Sequence, residues 1–204
     1  MKNINKKLIL PVIIAVAVYL LSYQIPKRLV DPSRLHFLST SLDDKIPFYG
    51  PSIYIYIGAF FQWAYCIFTL MKQKTEIGYK FCSALLIGSL IGFVIFMIYP
   101  TAVQRPEIIG SGFTNDFCRF IYSVDNIICA CPSFHCFCST LVILIYMECE
   151  DVSNRFIYIN MFYSLLVCFS TLLTKQHYIV DIIPGILLAY FAVLISDKFP
   201  IFRK

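Results

Sequence analysis

Nineteen consecutive residues, Phe81 to Tyr99, carry no charge. Such a run is long enough to cross the ~30 Å hydrocarbon core of a bilayer as a helix. Five further apolar runs lie at Leu8–Tyr23, Ser52–Met71, Phe134–Met147, Phe156–Leu173 and Ile182–Ser196. In lipid the backbone must satisfy its own hydrogen bonds, so runs of this kind are helical. Composition agrees: 59% of the chain is hydrophobic and only 14% charged, against about a quarter charged in soluble domains. The expectation is an all-α polytopic membrane protein with six transmembrane helices in one bundle. No Gly/Ser/Pro-rich linker or internal repeat divides residues 1–204, so a single domain is expected.

The first run follows Lys2, Lys6 and Lys7 and has the look of a signal peptide. It lacks a small-residue cleavage site and further spans follow it, so it is expected to stay as the first transmembrane helix. Tyr54 and Tyr56 are placed at an interface, where amphipathic rings prefer to sit. The net charge of +5 comes from basic residues scattered over short loops and termini, with no basic stripe. That pattern reports topology and excludes a nucleic-acid partner.

Alternating segments can be compared by the positive-inside rule. The N-terminus, the 72–80 and 148–155 loops and the C-terminal tail hold ten Lys/Arg, and the opposite segments seven. Both termini are therefore placed in the cytoplasm of a cell-membrane protein. Cys66, Cys82, Cys149 and Cys168 lie in or beside the spans and behave as small hydrophobes. Among Cys118, Cys129 and Cys131, in a stretch expected outside, at most one disulfide is allowed for.

Three polar knots then fall on the extracytoplasmic side. In the segment Thr174 to Gly185, His177 and Asp181 stand four residues apart and share a helix face. The carboxylate can orient one ring nitrogen and leave the other free, the arrangement of a nucleophilic or general-base histidine. As an isolated pair they would equally read as polar residues at a helix end. Arg105, in Tyr99 to Pro106, offers a planar fork of donors matched to phosphate, or a headgroup anchor. Ser133 and His135 stand at the start of the fourth run, where unpaired backbone N–H groups attract anions and Ser133 also fits as an N-cap.

Taken together, Arg105-Pro106, Pro132-Ser133-Phe134-His135 and Ser170-Thr171 with His177 and Asp181 resemble the type-2 phosphatidic acid phosphatase superfamily. That family's pattern is K-x6-R-P, P-S-G-H and S-R-x5-H-x3-D. The chain departs from it at three places: the first lysine falls at Ile98, the glycine at Phe134 and the last arginine at Thr171. The Lys-Gln-His-Tyr-Ile-Val-Asp form is similar to the branch that includes the sphingomyelin and inositol phosphorylceramide synthases.

The resemblance implies that His177 attacks phosphorus, Asp181 holds its ring and His135 protonates the leaving alcohol. Arg105, Ser133 and Lys175 would bind the phosphate oxygens, Lys175 substituting for a missing cation. The substrate would be a lipid phosphate, a polyprenyl diphosphate or a phospholipid headgroup, with other membrane lipids around it. No metal and no cofactor are expected. Two rivals stand beside this reading. One is a metal or redox site built from Cys129, Cys131, His135, Cys136 and Cys138. The other is a transporter or lipid-binding protein that keeps the fold without the chemistry.

Overall fold

The computed structural model describes residues 3–202. Helix α1 (Ile9–Gln24) runs into the short α2 (Pro26–Leu29), whose proline occupies a first-turn position where no backbone donor is needed. Next come α3 (Ile53–Leu70), α4 (Thr75–Ile98), α5 (Phe113–Val124), α6 (Phe134–Tyr146), α7 (Asn154–Leu173) and α8 (Ile179–Lys198). Two short strands, β1 (His36–Phe37) and β2 (Thr101–Ala102), pair in parallel with His36 opposite Thr101.

Helix α4 is central, packing against α1, α6 and α8, while α6 also meets α7 and α8. The reason lies in small residues. Lipid provides no hydrophobic drive for helices to associate, so close backbone approach must supply the packing. Gly185, Ala189, Ala192 and Ser196 line one buried face of α8 at helical spacing. A Cβ at Gly185 would lie 2.5 Å from the Ser133 carbonyl oxygen, and one at Gly92 would lie 2.4 Å from the Phe134 ring. The outward faces carry the large apolar groups, including Leu10, Ile13, Phe61 and Phe162, as expected of helices facing lipid.

Five helical segments are long and apolar enough to cross a membrane: Lys6–Leu29, Gly50–Leu70, Thr75–Ile98, Asn154–Leu173 and Ile179–Lys198. The remaining expected span is the one that falls short of this length. The sixth apolar helix, α6, has only 13 residues, or about 20 Å of rise. Its shortness has a structural cause. Phe134 fills the notch at Gly92, six residues before α4 ends at Ile98, so α6 starts about 9 Å below that end. The chain that leads to α6 is held by its neighbours, with Cys129 at a positive φ of 70°. Thr101 O accepts from Cys129 N at 3.0 Å and from Ala130 N at 3.3 Å, and Ala102 bridges to Ile128.

One end of the bundle gathers the 71–80 and 147–153 turns and the end of α8, where Lys80 pairs with Glu148 and Asp197. The other end gathers the polar knots. It also holds α5, lying within the stretch expected to be only a polar loop. Phe113 is 79% exposed, and its ring leads a stacked row through Phe117 and Phe120. This is the outward apolar stripe of an interfacial helix. Tyr54, 43% exposed, stacks on Phe117 as an interfacial ring should, whereas Tyr56 is 2% exposed and turned inward, against expectation. All nine cysteines are free thiols, so no disulfide joins Cys118, Cys129 and Cys131. Lys2, Arg203 and Lys204 of the charge comparison lie outside the described residues.

Candidate active site

The turn Thr174–Tyr178 joins α7 to α8 and is fixed by its backbone. Thr171 O accepts from both Gln176 N (2.9 Å) and His177 N (3.1 Å), and Lys175 takes a positive φ of 51°. Tyr178 caps α8, and Asp181 Oδ2 accepts its backbone N–H at 2.8 Å. The same oxygen lies 3.3 Å from His177 Nδ1. A carboxylate in that place selects the tautomer protonated on Nδ1 and leaves the Nε2 lone pair for chemistry. Asp181 itself is fully buried. The Cys131 thiol beside it is pushed up to about 12, first by burial and then by the Asp181 charge.

Across from His177 stands His135, with ring centroids 6.3 Å apart. Its position follows from the start of α6. Ser133 N donates to Asp181 O at 3.0 Å, tying the two helix starts together, and Ser133 Oγ accepts from Cys136 N as an N-cap. The His135 ring is stacked on Tyr56 at 4.1 Å and flanked by Phe60 and Trp63. Its Nε2 is buried without a protein partner. His177, Asp181, His135 and Ser133 are thus brought together by helices that the sequence separates by some forty residues.

The two expected cations behave differently. Arg105 donates through Nη1 to Tyr122 O (3.1 Å) and Asp125 O (2.7 Å), and through Nη2 to Asn126 O and the Gln176 side chain. Only Nε is left, buried and without a partner, as is Gln176 Nε2. Lys175 Nζ donates to Asp43 O at 2.8 Å and Ile46 O at 2.5 Å. Two of its donors therefore anchor the 40–46 loop, and its side chain also lines a cavity with Arg105 and Tyr178. Asp43 completes that anchor by accepting from Ile179 N at 2.8 Å. Thr171, standing where the resemblance puts an arginine, is buried with its hydroxyl on Cys168 O.

Three groups, Tyr56, Asp125 and Lys27, are brought to the site although the sequence reading does not assign them to it. Tyr56 donates its hydroxyl to Asp125 Oδ2 at 3.1 Å while its ring holds His135. Asp125 Oδ1 lies 2.5 Å from Lys27 Nζ and also accepts from Tyr23. Burial alone would raise the Asp125 carboxyl. The charge and hydrogen bond of Lys27, then Arg105 and His135, outweigh it and hold the group below its ordinary value. Nothing local signals these partners, because Lys27 and Asp125 are 98 residues apart. Among the described residues, no group of three or more His, Cys, Asp or Glu side chains is placed to hold a metal ion.

A model of the PAP2 superfamily matches residues 35–195. The chain belongs to that superfamily. The match takes in every residue of the constellation just described except those on α1 and α2, and it supports a phosphatase or phosphotransferase type of activity in general. It is to the superfamily as a whole and does not single out the branch of the sphingomyelin and inositol phosphorylceramide synthases. No curated protein and no solved structure matches the chain.

Proposed function

We propose that the chain transfers the phosphoryl group of a membrane lipid through a phosphohistidine formed on His177. The observation that carries this is the facing pair of histidines, one oriented by a buried carboxylate and the other with a buried, unpartnered nitrogen. Nε2 of His177 attacks phosphorus as the bond to the leaving oxygen breaks, and His135 gives that oxygen its proton. Water or a second alcohol then attacks phosphorus, the P–N bond breaks, and His135 takes the incoming proton back. Splitting the displacement in this way, with a positioned acid, is worth about 10²–10⁴-fold for the acid alone. Charge developing on the phosphoryl oxygens would meet Arg105 Nε and the first backbone N–H groups of α6, which have no intrahelical acceptor.

The substrate's apolar part has a route. A cavity of about 210 Å³ reaches His135 between Tyr19, Tyr23, Tyr56 and Phe60. It shares Tyr19, Leu20 and Phe60 with an apolar cavity of about 200 Å³ deeper between α1 and α3. A hydrocarbon chain lying there would hold its phosphate at the histidines. We place the site on the extracytoplasmic face and both termini in the cytoplasm, on the Lys/Arg distribution. Cysteines introduced at Glu107 and Glu76 of a cysteine-depleted chain test this, since an impermeant reagent should label only the former in intact cells.

The deciding experiment incubates purified protein with labelled lipid phosphates, polyprenyl diphosphates and phospholipids, with and without an alcohol acceptor, in excess chelator. Turnover with acid-labile phosphate on the protein, lost in His177→Ala, is the expected result. A folded, inserted His177→Ala protein with full activity would end the assignment.

A further inference from the structure

The superfamily pattern leaves this chain short of positive charge. The positions that would carry the two further cations hold Ile98 and Thr171, and two of the three donors of Lys175 are taken by loop carbonyls. We infer that Lys27, contributed by α2 at the end of the first membrane helix, is an additional phosphate-binding cation of the site, with Asp125 as its resident counter-ion. The inference deepens the phosphoryl-transfer reading and rests on it for the identity of the anion.

The geometry supplies the reasons. The Lys27 side chain is 7% exposed, and its ammonium lies 2.5 Å from Asp125 Oδ1 and 3.6 Å from the centre of the Tyr23 ring. A buried ion pair is poor evidence of a stabilising role, because desolvation offsets most of its Coulomb energy. What distinguishes this pair is its surroundings. It lines a polar cavity of about 420 Å³ together with Arg28, Arg105 and Asn126. Three cations there face one carboxylate. The cavity shares Gln24, Val124 and Asp125 with the one that His135 lines. An ammonium has three donors, so Lys27 can bond an incoming phosphate oxygen while keeping Asp125. The carboxylate is secured independently by the hydroxyls of Tyr23 and Tyr56, and Tyr56 in turn holds the His135 ring. The charge and the general acid are therefore mounted on one connected frame.

Two readouts test this on the full chain in detergent micelles: binding of inorganic orthovanadate by calorimetry, and steady-state turnover of the lipid substrate. Because Lys27→Met alone would strand a buried carboxylate, the main variant is the double Lys27→Met/Asp125→Asn, with Lys27→Arg as the conservative control. The double variant should bind orthovanadate at least about tenfold more weakly, the loss of one charge-assisted hydrogen bond. Turnover should fall through KM as well as kcat, while Lys27→Arg keeps both within about threefold. If Lys27 serves only to neutralise Asp125, removing both restores wild-type binding, and that result overturns the inference. So does a wild-type protein that fails to bind orthovanadate at millimolar concentration. Lys27-dependent binding in a protein that turns over no lipid would sink the proposed activity and leave the anion site standing.

Discussion

The two ends of the bundle handle their polar groups in opposite ways. At the end formed by the 71–80 and 147–153 turns, every charge named has an opposite partner: exposed Lys74 with Glu150, and half-buried Lys80 with Glu148 and Asp197. At the other end, polar groups are carried down among aromatic rings, and four polar atoms there, Arg105 Nε, His135 Nε2, Gln176 Nε2 and Asp181 Oδ1, are buried without a protein partner. Exposed pairs contribute little and are dispensable. Buried polar atoms without partners cost about 1–3 kcal/mol each, a cost that a ligand supplying the missing bonds would offset; away from this end, Gln62 Oε1 is also buried without a partner. The contrast supports placing the proposed site at this end without reference to any motif.

The largest effect expected from breaking this asymmetry is at His135. His135→Ala should slow turnover of a lipid alkyl phosphate by about 10²–10⁴-fold and be largely restored with a nitrophenyl phosphate, whose leaving group needs no proton. Equal loss on both substrates would remove its role as acid. Next comes the joint between the helix starts. Gly185→Val pushes a side chain into the Ser133 carbonyl, where even a Cβ would approach to 2.5 Å. It should cost about 1–3 kcal/mol in thermal stability and take activity with it; an unchanged melting temperature would show that α6 can slide away.

A smaller effect is expected from acid. The Asp125 carboxyl is held below its ordinary value in the folded protein. Its contribution to stability is therefore complete above the unfolded value of about 3.9 and is lost as pH falls through the lower folded one. Below about pH 4, Asp125→Asn should flatten the decline of stability with pH relative to the parent protein. A parallel decline would show that the pair contributes no linkage. Least of all should change at the opposite end, where Lys80→Met is expected to shift stability by no more than about 1 kcal/mol and leave turnover as it was. A large loss of activity there would mean that the two ends are coupled.

What the sequence made legible follows from distance along the chain. His177 and Asp181 meet because a helical turn brings i and i+4 together, and the long spans show in their uncharged runs. Helix α5 was missed although Phe113, Phe117, Phe120 and Val124 repeat at helical spacing, because the charges around them mark the stretch as polar loop. Lys27, Tyr56 and Asp125 were invisible for a different reason: three separate elements bring them together, and no local spacing encodes that. The length of α6 shows the same limit. Its apolar run announces a span, but the depth at which it starts is set by Phe134 seating against Gly92 on another helix.

That recessed start has an electrical consequence. If the bundle spans the bilayer end to end, a phosphate at the start of α6 lies about 9 Å inside it, close to a third of the ~30 Å low-dielectric layer. A full crossing is worth about 2.3 kcal/mol per elementary charge for each 100 mV. An anion brought to this depth would therefore gain or lose about 0.7 kcal/mol per charge for each 100 mV, according to the sign of the membrane potential. Substrate affinity in an energised vesicle should then depend on voltage, and measuring KM at opposite imposed potentials would read the depth of the site directly.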